Sequence, residues 1–379
     1  MNNSRKILIA NPHRLKDIIK VGDHHYGKMF TMDGYRAFWL SQPLSPFHLI
    51  KKENYCRLRD WTKGVQKDNG ILGHNPLTLL PYSRKWPFDR KWIGENNLRF
   101  TIPFVKTILE KYDCLKVDIL WINEFSGHYL TELVKYNKFV LRITDDVPEF
   151  RDSPKTFTEI QNELIDKADY VFCTARQLTS CYDFKPSKFY YIPNGVDYDH
   201  FHGNTAVQPQ DYCKIDSPRI VYVGAICDWF DEKLLYYVAE RLPRYNFILV
   251  GPRKISLREA KNFRNIFLLG CKGYNDIPCY MKYADVGIIP FKLNKLTKSV
   301  SPIKMFEYFA AGLPVVSTRM QEAESLRPPA YFANDRDEFV KFLEEAYKKG
   351  KNHPEFFKFA KSNSWYTRYR TIQKIIRLK

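Results

Sequence analysis

Short apolar segments that alternate with helical stretches constrain the fold of this chain most strongly. Such segments are typical of strands that are buried in parallel sheets and connected by helices. The first series of predicted strands is Lys6–Ala10, Ala37–Leu40, Ile119–Ile122, Phe139–Ile143, Tyr170–Thr174 and Phe189–Ile192. The second series is Arg219–Gly224, Asn246–Val250, Ile266–Leu269, Val286–Ile289 and Val315–Ser317. The pattern predicts an α/β protein with two doubly wound sheets.

A polar, irregular segment at residues 203–210 separates the two series of strands. The turn signal Asn194-Gly195 comes shortly before it. Near the end of the chain, Trp365, Tyr369, Ile372 and Ile376 recur at helical spacing. We therefore predict domains at residues 1–203 and 204–353, followed by a helical segment at residues 354–379.

The chain has a large positive charge. Its 379 residues carry a formal net charge of +18, which nucleic acid, an anionic membrane or a phosphorylated ligand could balance. No apolar run approaches the roughly 18 residues of a membrane span, and Ile7–Ala10 is expected to be a strand, not a signal peptide. The eight cysteines lack CxxC or zinc-site spacing, which favours reduced thiols in a cytoplasmic protein.

The segment from Ser301 to Thr318 predicts a helix followed by a buried strand. Ser301 is expected to cap the helix, and Gly312 is expected to end it. The N–H groups at such a helix start favour an anion, and Lys304 in the first turn adds a positive charge. Glu307 lies three residues further on, so it shares a face with Lys304. A diphosphate at the helix start, with a ribose beside Glu307, would use all of these groups.

Several segments of the second half resemble the donor domain of GT-B glycosyltransferases. They are Tyr222–Ile226, Val250–Pro252, Ala284–Phe291 and the helix with Lys304 and Glu307. The branch that the chain resembles most is the membrane-associated xanthan glucuronosyltransferase family of bacteria, which builds polysaccharide on lipid-linked acceptors. The resemblance implies two Rossmann-like domains that face a central cleft, and a C-terminal helix that crosses back to the N-terminal domain.

The resemblance implies a set of donor-binding residues. Lys304 would bind phosphate, Glu307 would accept hydrogen bonds from ribose, and Gly224 would let the backbone approach the diphosphate. The remaining candidates are Ser301, Arg253 and the loop Lys272, Gly273 and Tyr274, which would read a uracil edge through main-chain groups. The structural alternatives are a solvated lysine for Lys304, a surface glutamate for Glu307, an ordinary strand-end glycine for Gly224 and a plain turn for residues 272–274.

Two departures from the retaining GT-B pattern affect the predicted mechanism. Ser299 stands where retaining families often carry a first glutamate, which favours an inverting enzyme. The segment after the first donor-domain strand has only Lys233 in place of an Arg and a Lys. Phosphate binding would therefore depend more on Lys304, with Arg253 and Lys298 as further candidates.

The acceptor side is predicted in the first half of the chain. Asp145 and Asp146 follow a predicted strand, and a neighbouring carboxylate can raise the pKa of such a group toward that of a useful base. The resemblance implies that one of the two is the catalytic base; a helix cap with a surface acid is the alternative. His24 or His25, after Gly22, could bind the acceptor or assist proton transfer, or be structural. Asn123 and Glu124 are weaker candidates.

One segment mixes basic and aromatic residues in a way that is typical of a membrane surface. Its residues are Arg84, Lys85, Trp86, Arg90, Lys91 and Trp92. Nucleic-acid binding and a solvated loop with packing tryptophans are the alternatives. Because the acceptor of the resembling family is lipid-linked, we favour a membrane surface.

Taken together, these features predict a transferase that moves a sugar from a UDP-sugar to a lipid-linked or polysaccharide hydroxyl. We expect it to be inverting, peripheral on the cytoplasmic membrane face and without a required cofactor or metal, since the helix dipole and Lys304 would stabilise the leaving diphosphate. A GT-B nucleotide-sugar epimerase and a basic nucleic-acid-binding protein are the two alternatives. The absence of GxGxxG and Walker lysine motifs makes a dinucleotide dehydrogenase or P-loop enzyme a poor fit.

Overall fold

The structure, a computed structural model, describes residues 5–47, 55–123, 127–150, 153–182, 186–203, 207–298 and 300–377. It divides into two compact units. Unit 1 comprises Met1–Pro193 and Ile372–Lys379, and unit 2 comprises Asn194–Thr371. Within the described residues, no helix is long and apolar enough to cross a membrane.

Unit 1 is built on a sheet whose described strands follow the order β10-β9-β8-β7-β1-β2-β4-β3. The strands of unit 1, including the small separate pair β5 and β6, are β1 (Lys6–Asn11), β2 (Arg36–Ser41), β3 (Gln66–Asp68), β4 (Ile71–His74), β5 (Leu77–Thr78), β6 (Thr101–Ile102), β7 (Lys116–Asn123), β8 (Lys135–Ile143), β9 (Tyr170–Cys173) and β10 (Phe189–Tyr191). Neighbours in the large sheet are parallel except β3 and β4. The carboxyl ends of β1, β2, β4, β7 and β8 therefore lie at one edge, where open α/β sheets bind ligands.

The described α-helices of unit 1 cover both faces of this sheet's core. They are α1 (Gly22–Met32), α2 (Tyr55–Thr62), α3 (Lys91–Asn96), α4 (Val105–Lys111), α5 (Leu130–Leu133) and α6 (Phe157–Lys167). Short 3₁₀ helices lie at Val147–Glu149, Arg176–Ser180 and Pro186–Lys188.

Unit 2 contains a parallel sheet with the described strand order β13-β12-β11-β14-β15-β16. Its strands are β11 (Arg219–Val223), β12 (Asn246–Val250), β13 (Ile266–Gly270), β14 (Val286–Ile289), β15 (Val315–Thr318) and β16 (Tyr331–Ala333). Its α-helices, the last of which continues into unit 1, are α7 (Tyr198–His202), α8 (Glu232–Arg241), α9 (Ile277–Lys282), α10 (Lys295–Lys298), α11 (Ile303–Ala310), α12 (Gln321–Ser325), α13 (Arg336–Lys349), α14 (Pro354–Ser362) and α15 (Trp365–Ile375). Gln210–Lys214 and Arg258–Asn262 are 3₁₀.

The predicted α/β class with two doubly wound sheets is confirmed, and each predicted strand corresponds to an observed one. The strands are buried because they are apolar on both faces: Ile7, Leu8, Ile9 and Ala10 of β1 are each at most 1% exposed. The strands β3, β4, β5, β6 and β16 were not predicted from the sequence.

The division between the units differs from the predicted domain boundaries. Residues 194–203 and 354–371 lie in unit 2, because α7 and α14 both contact α11. Only the last residues, from Ile372, group with unit 1. There, the Lys138 ammonium donates to the carbonyl of Ile376.

Candidate functional site

The start of α11 is built differently from the predicted serine cap. Pro302 occupies the N-cap position and offers no side-chain hydrogen bond. The Ser301 hydroxyl is buried without a hydrogen-bond partner, while the Ser301 carbonyl accepts a 2.9 Å bond from Asn194 Nδ2. The prediction that Ser301 caps the helix was therefore wrong, although the helix begins at the expected place. Gly312 follows the helix with φ +83°, as its predicted role as a helix stop requires.

Lys304 is held among aromatic rings at the start of α11. Its Nζ lies 4.8 Å from the ring centroid of Phe291 and 5.4 Å from that of Tyr222. It also lies beside Gly224, since a Cβ at Gly224 would stand 3.0 Å from Lys304 Cε. Burial lowers the pKa of Lys304 to about 8, and the nearby charge of Glu307 opposes this only in part. A partly desolvated ammonium at a helix start is a strong site for an anion.

Glu307 is the second ionisable group of this cluster. Burial raises the pKa of its carboxyl to about 7, and the positive charge of Lys304 acts in the opposite direction. The charge of Glu307 also contributes to the raised pKa of Tyr274, after the larger effect of burial. The structure thus brings Lys304, Glu307, Gly224 and Tyr274 together at one edge of the unit 2 sheet.

Two glycines at the carboxyl ends of β11 and β12 make a close backbone contact. Gly224 has φ +141° and Gly251 has φ +144°, values that L side chains rarely adopt. A Cβ on Gly251 would lie 2.1 Å from the carbonyl oxygen of Gly224. Gly251 therefore helps to shape the site. This role was not predicted from the sequence, although the Val250–Pro252 motif was noted.

The Lys272–Tyr274 loop is held by contacts inside unit 2. Lys272 Nζ forms a 2.8 Å ion pair with Asp211, so its side chain is committed to a structural contact. The ring of Tyr274 stacks on His200 with a 4.2 Å centroid distance, and His200 Nε2 lies 3.1 Å from the Tyr274 carbonyl. Gly273 lies against Asp276. His200 is therefore a support for this loop that the sequence analysis did not identify.

The remaining donor candidates are less constrained. Arg253 is exposed and pairs with Ile226 in an isolated β-bridge. Ser299 and the side chain of Lys298 lie outside the described residues, as does Glu124.

Asp145 and Asp146 lie just beyond β8, at the carboxyl edge of the unit 1 sheet. Burial raises the pKa of Asp145, with a further upward contribution from Asp146, while a Thr144 hydrogen bond and the charges of Arg142 and His13 lower it. Asp146 is buried at the N-cap of the 3₁₀ helix Val147–Glu149, and its Oδ2 accepts a 3.3 Å hydrogen bond from the Cys181 thiol.

His13 is a candidate that the sequence analysis overlooked. It follows β1, and its Nδ1 lies 3.6 Å from Asp17 Oδ2. Burial alone would raise the pKa of Asp17, but the interaction with His13 and the Arg14 guanidinium hold it well below its usual range. Since the charge of His13 acts on Asp145, these groups share one edge of the sheet. The sequence signal that could have identified His13 is its position just after a buried strand.

His24 is an internal structural residue. Its Nδ1 accepts a 3.1 Å hydrogen bond from the Val21 N–H, its Nε2 donates to the Arg14 carbonyl at 2.8 Å, and its ring stacks on Trp39 at 4.5 Å. Burial lowers its pKa to about 4, so the ring is neutral near pH 7. The two ring nitrogens are thus used within the unit and not for an acceptor. Gly22 and His25 are buried at the start of α1.

The fully buried Asp23 organises the same edge of the sheet. Its carboxylate accepts hydrogen bonds from Asn11 Nδ2 at 2.5 Å, Trp121 Nε1 at 3.1 Å and Asn123 Nδ2 at 2.6 Å. It also pairs with Arg142 Nη1 at 3.3 Å. Asn123 is therefore part of this buried scaffold. This network ties together the three strands β1, β7 and β8 and the helix α1, which gives the neighbouring loops a rigid base.

The aromatic–basic segment, residues 84–92, is largely exposed. Trp86 is 79% exposed and Trp92 is 53% exposed, with Arg84, Lys85 and Arg90 also at the surface. The apolar surface extends beyond the segment, because Trp92 contacts Phe100 and the nearby Ile102 and Phe104 are exposed. Lys91 differs from the others, since its ammonium pairs with Glu163.

Glu95, His128 and Glu163 form a cluster beside Lys91 whose ligand atoms lie within 4.8 Å of one another, as in a metal site. Lys91 already pairs with both glutamates, and His128 Nε2 lies 3.2 Å from Glu163. The Lys91 ammonium thus already balances the negative charge of these carboxylates.

Comparison with known proteins identifies the class of fold. Residues 217–349 match the protein family described as Glycosyl transferases group 1. Over 98% of both chains, the structure aligns with sucrose-phosphate synthase from Thermosynechococcus elongatus with a TM-score of 0.74 at 13% identity. It aligns over 99% of this chain and 100% of Anabaena Alr3699/HepE, solved with UDP and glucose, with a TM-score of 0.64 at 14% identity. The chain has the GT-B fold of glycosyltransferases, with a group 1 segment in unit 2.

Among curated proteins, the chain is similar to TuaH of Bacillus subtilis (strain 168), a protein assigned to teichuronic acid biosynthesis as a glycosyltransferase. The two are 27% identical over 242 residues. The match covers 60% of this chain and 60% of TuaH. A specific likeness to xanthan glucuronosyltransferases is not among these similarities.

Proposed function

We propose that this chain is a glycosyltransferase that moves a sugar from a UDP-sugar to a hydroxyl of a lipid-linked or polysaccharide acceptor. Unit 2 binds the donor, and unit 1 binds the acceptor. The observation that carries the proposal is the desolvated ammonium of Lys304 at the start of α11, beside the side-chain-free Gly224. This position lies inside the segment that matches group 1 glycosyltransferases.

The polar groups at this edge of the unit 2 sheet determine how the donor binds. The diphosphate takes the positive end of α11 and the ammonium of Lys304, and the ribose hydroxyls donate to Glu307. The UDP leaving group is then stabilised by Lys304 and the helix dipole, so that no metal is required for charge neutralisation. The Lys272–Tyr274 loop reads the base through its main chain, with Arg253 at the periphery.

The acceptor hydroxyl attacks the anomeric carbon with inversion as it loses its proton to a carboxylate. Asp145 and Asp146 are the proposed bases, and burial raises the pKa of Asp145, which makes its carboxylate a stronger proton acceptor. The structure favours Asp145, since Asp146 accepts a hydrogen bond from Cys181 and begins a 3₁₀ helix.

The biological setting that we propose is the synthesis of an exopolysaccharide or cell-envelope glycan at the cytoplasmic face of the membrane. The curated relative TuaH is assigned to a teichuronic acid pathway, and the aromatic–basic segment offers exposed tryptophans next to arginine and lysine. That composition suits an anionic lipid surface.

The alternatives have less support. The family match and TuaH are both described as glycosyltransferases, so a GT-B epimerase is not favoured. A nucleic-acid-binding protein would require a steeply salt-dependent affinity for RNA or DNA, which a titration at two salt concentrations would reveal.

The test is thermal unfolding with a panel of UDP-sugars, since a ligand that binds the folded state raises the unfolding temperature. At least one UDP-sugar should stabilise the wild type, and Lys304→Ala should abolish that shift. Lys341→Ala, which changes an exposed lysine of the same unit, is the matched control and should keep it. Sugar transfer to a membrane extract then follows with the stabilising donor. A panel without any stabilising UDP-sugar would overturn the proposal.

A further inference from the structure

We infer that the carboxyl ends of β2 and β4 form a subsite for an anionic, hydroxylated ligand, with Arg57 binding the anion and Ser41 and Asn75 binding hydroxyls. The identification of this ligand as the acceptor rests on the proposed function. The inference deepens that function, because it assigns the acceptor to the class of sugars that carry a carboxylate or a phosphate.

Arg57 of α2 is a half-buried cation with few partners. Its Nη2 donates a 2.7 Å hydrogen bond to the Gln42 carbonyl, and its Nε is buried without a hydrogen-bond partner. In the part of the chain that the structure describes, no carboxylate forms an ion pair with this guanidinium. A guanidinium with a buried, unpaired Nε and no carboxylate partner is costly unless an anion binds it, and its planar fork fits carboxylate and phosphate.

The surrounding charges do not replace such an anion. The Arg14 guanidinium is already engaged, 2.7 Å from Asp60 and 3.4 Å from Asp17. Burial lowers the pKa of Arg57 most, and the positive charge of Arg14 lowers it further. The charges of Asp17 and Cys56 act in the opposite direction.

Two neutral side chains nearby also lack partners. The Ser41 hydroxyl, at the end of β2, is 1% exposed and makes no hydrogen bond. The Asn75 side-chain oxygen, just after β4, is likewise buried without a donor, in a residue that is 6% exposed. Buried polar groups are nearly always paired, so two such orphans at a ligand-binding edge point to hydroxyl groups of a ligand.

The register of the strands places these groups close together. Leu40 of β2 pairs with His74 of β4, so that Ser41 and Asn75 follow on adjacent strands, about 5 Å apart. The chain continues side by side beyond the strands, where the Leu44 N–H donates to the Pro76 carbonyl at 2.8 Å. Gln42, which anchors Arg57, lies between Ser41 and Leu44 in sequence.

The test uses three methyl glycosides of the same sugar: a glucuronide with a carboxylate, a glucoside 6-phosphate and the neutral glucoside. Inorganic phosphate is the fourth probe. Affinities are measured by calorimetry on the full chain, with Arg57→Gln, Arg57→Lys and Ser41→Ala. Arg59→Gln, on the exposed face of the same helix, is the matched control, and thermal unfolding reports whether each variant folds.

We expect the wild type and Arg59→Gln to bind one charged glycoside at least about tenfold more tightly than the neutral one. Arg57→Gln should remove this preference, and Arg57→Lys should reduce it. Ser41→Ala should weaken the binding of the glycosides but not that of inorganic phosphate. Whichever of the carboxylate and phosphate probes binds more tightly identifies the anionic group of the ligand. Equal binding of charged and neutral glycosides by the wild type, or an unchanged preference in Arg57→Gln, would overturn the inference.

The same titrations separate this inference from the proposed function. If charged glycosides bind through Arg57 but no UDP-sugar binds, the subsite stands and the glycosyltransferase proposal fails. If UDP-sugars bind and charged glycosides do not, the subsite fails and the donor site stands.

Discussion

At the scale of single residues, Lys304 and Glu307 have pKa values that burial moves toward each other, to about 8 and about 7. In the proposed complex, the diphosphate requires the protonated lysine and the ribose hydroxyls require the ionised glutamate. Donor affinity therefore depends on the protonation state of two groups in one turn of α11.

The affinity for UDP is expected to be highest between about pH 7 and about pH 8. Below this window Glu307 gains a proton and stops accepting ribose hydrogen bonds, and above it Lys304 loses its charge. Calorimetry across this pH range measures the affinity. In Glu307→Gln, the loss of affinity below the window should disappear, and the loss of affinity above it should remain. A wild-type affinity that does not change with pH would contradict the assignment.

A second prediction concerns the catalytic base. Asp145→Asn is expected to lower kcat by about 10²–10⁴-fold, the usual contribution of a general base, while the affinity for the donor in unit 2 stays the same. The measurement is UDP release during transfer. Asp113→Asn, at an exposed surface ion pair of the same unit, serves as the control. Full activity in both Asp145→Asn and Asp146→Asn would exclude this pair as the base.

At the scale of elements, the sequence was sufficient for the buried parallel strands but not for the sheet edges. The strands of both sheet centres are apolar on both faces, so their composition alone identifies them. The polar Gln66–Asp68 and the short Ile71–His74 lack that pattern, although Asn69-Gly70 between them is a strong hairpin signal. The serine cap was wrong because Pro302, one residue later, takes the N-cap position.

The loop geometry at the donor edge predicts unequal costs for two glycine substitutions. Gly251→Ala should lower the free energy of unfolding by about 3 kcal/mol or more, because its Cβ would meet the Gly224 carbonyl at 2.1 Å. Gly270→Ala has a positive φ but open space around it, so about 1–2 kcal/mol is expected. Urea unfolding measures both values, and equal costs would show that the Gly224–Gly251 contact is not a constraint.

At the scale of the whole molecule, the sequence indicated the chemistry but not which residues meet. His13 and Asp145 follow strands that are far apart in the chain, and only the order β8-β7-β1 brings these two strands to one sheet edge. Likewise, the stacking of His200 on Tyr274 depends on how α7 packs in unit 2. Local patterns contain no information on such contacts, which explains why the roles of His13 and His200 and the hydrogen bonds around Asp23 were not predicted.

The charge of +18 and the exposed tryptophans predict binding to anionic vesicles. The protein should co-sediment with phosphatidylglycerol vesicles more than with phosphatidylcholine vesicles. Trp86→Ala with Trp92→Ala should weaken this binding by about tenfold or more, since both rings lose their apolar contact. Tyr366→Ala, at another exposed aromatic residue, should have no effect. Equal binding by the double variant would argue against the aromatic–basic segment as the membrane surface.

The most direct test of the account is the affinity for UDP, because the donor site at α11 is its central claim. Calorimetry should show that the wild type and Lys341→Ala bind UDP equally, and that Lys304→Ala binds it at least about tenfold more weakly, as expected for the loss of a charge-assisted contact to phosphate. Equal affinity in Lys304→Ala, or no UDP binding by the folded wild type, would contradict the account.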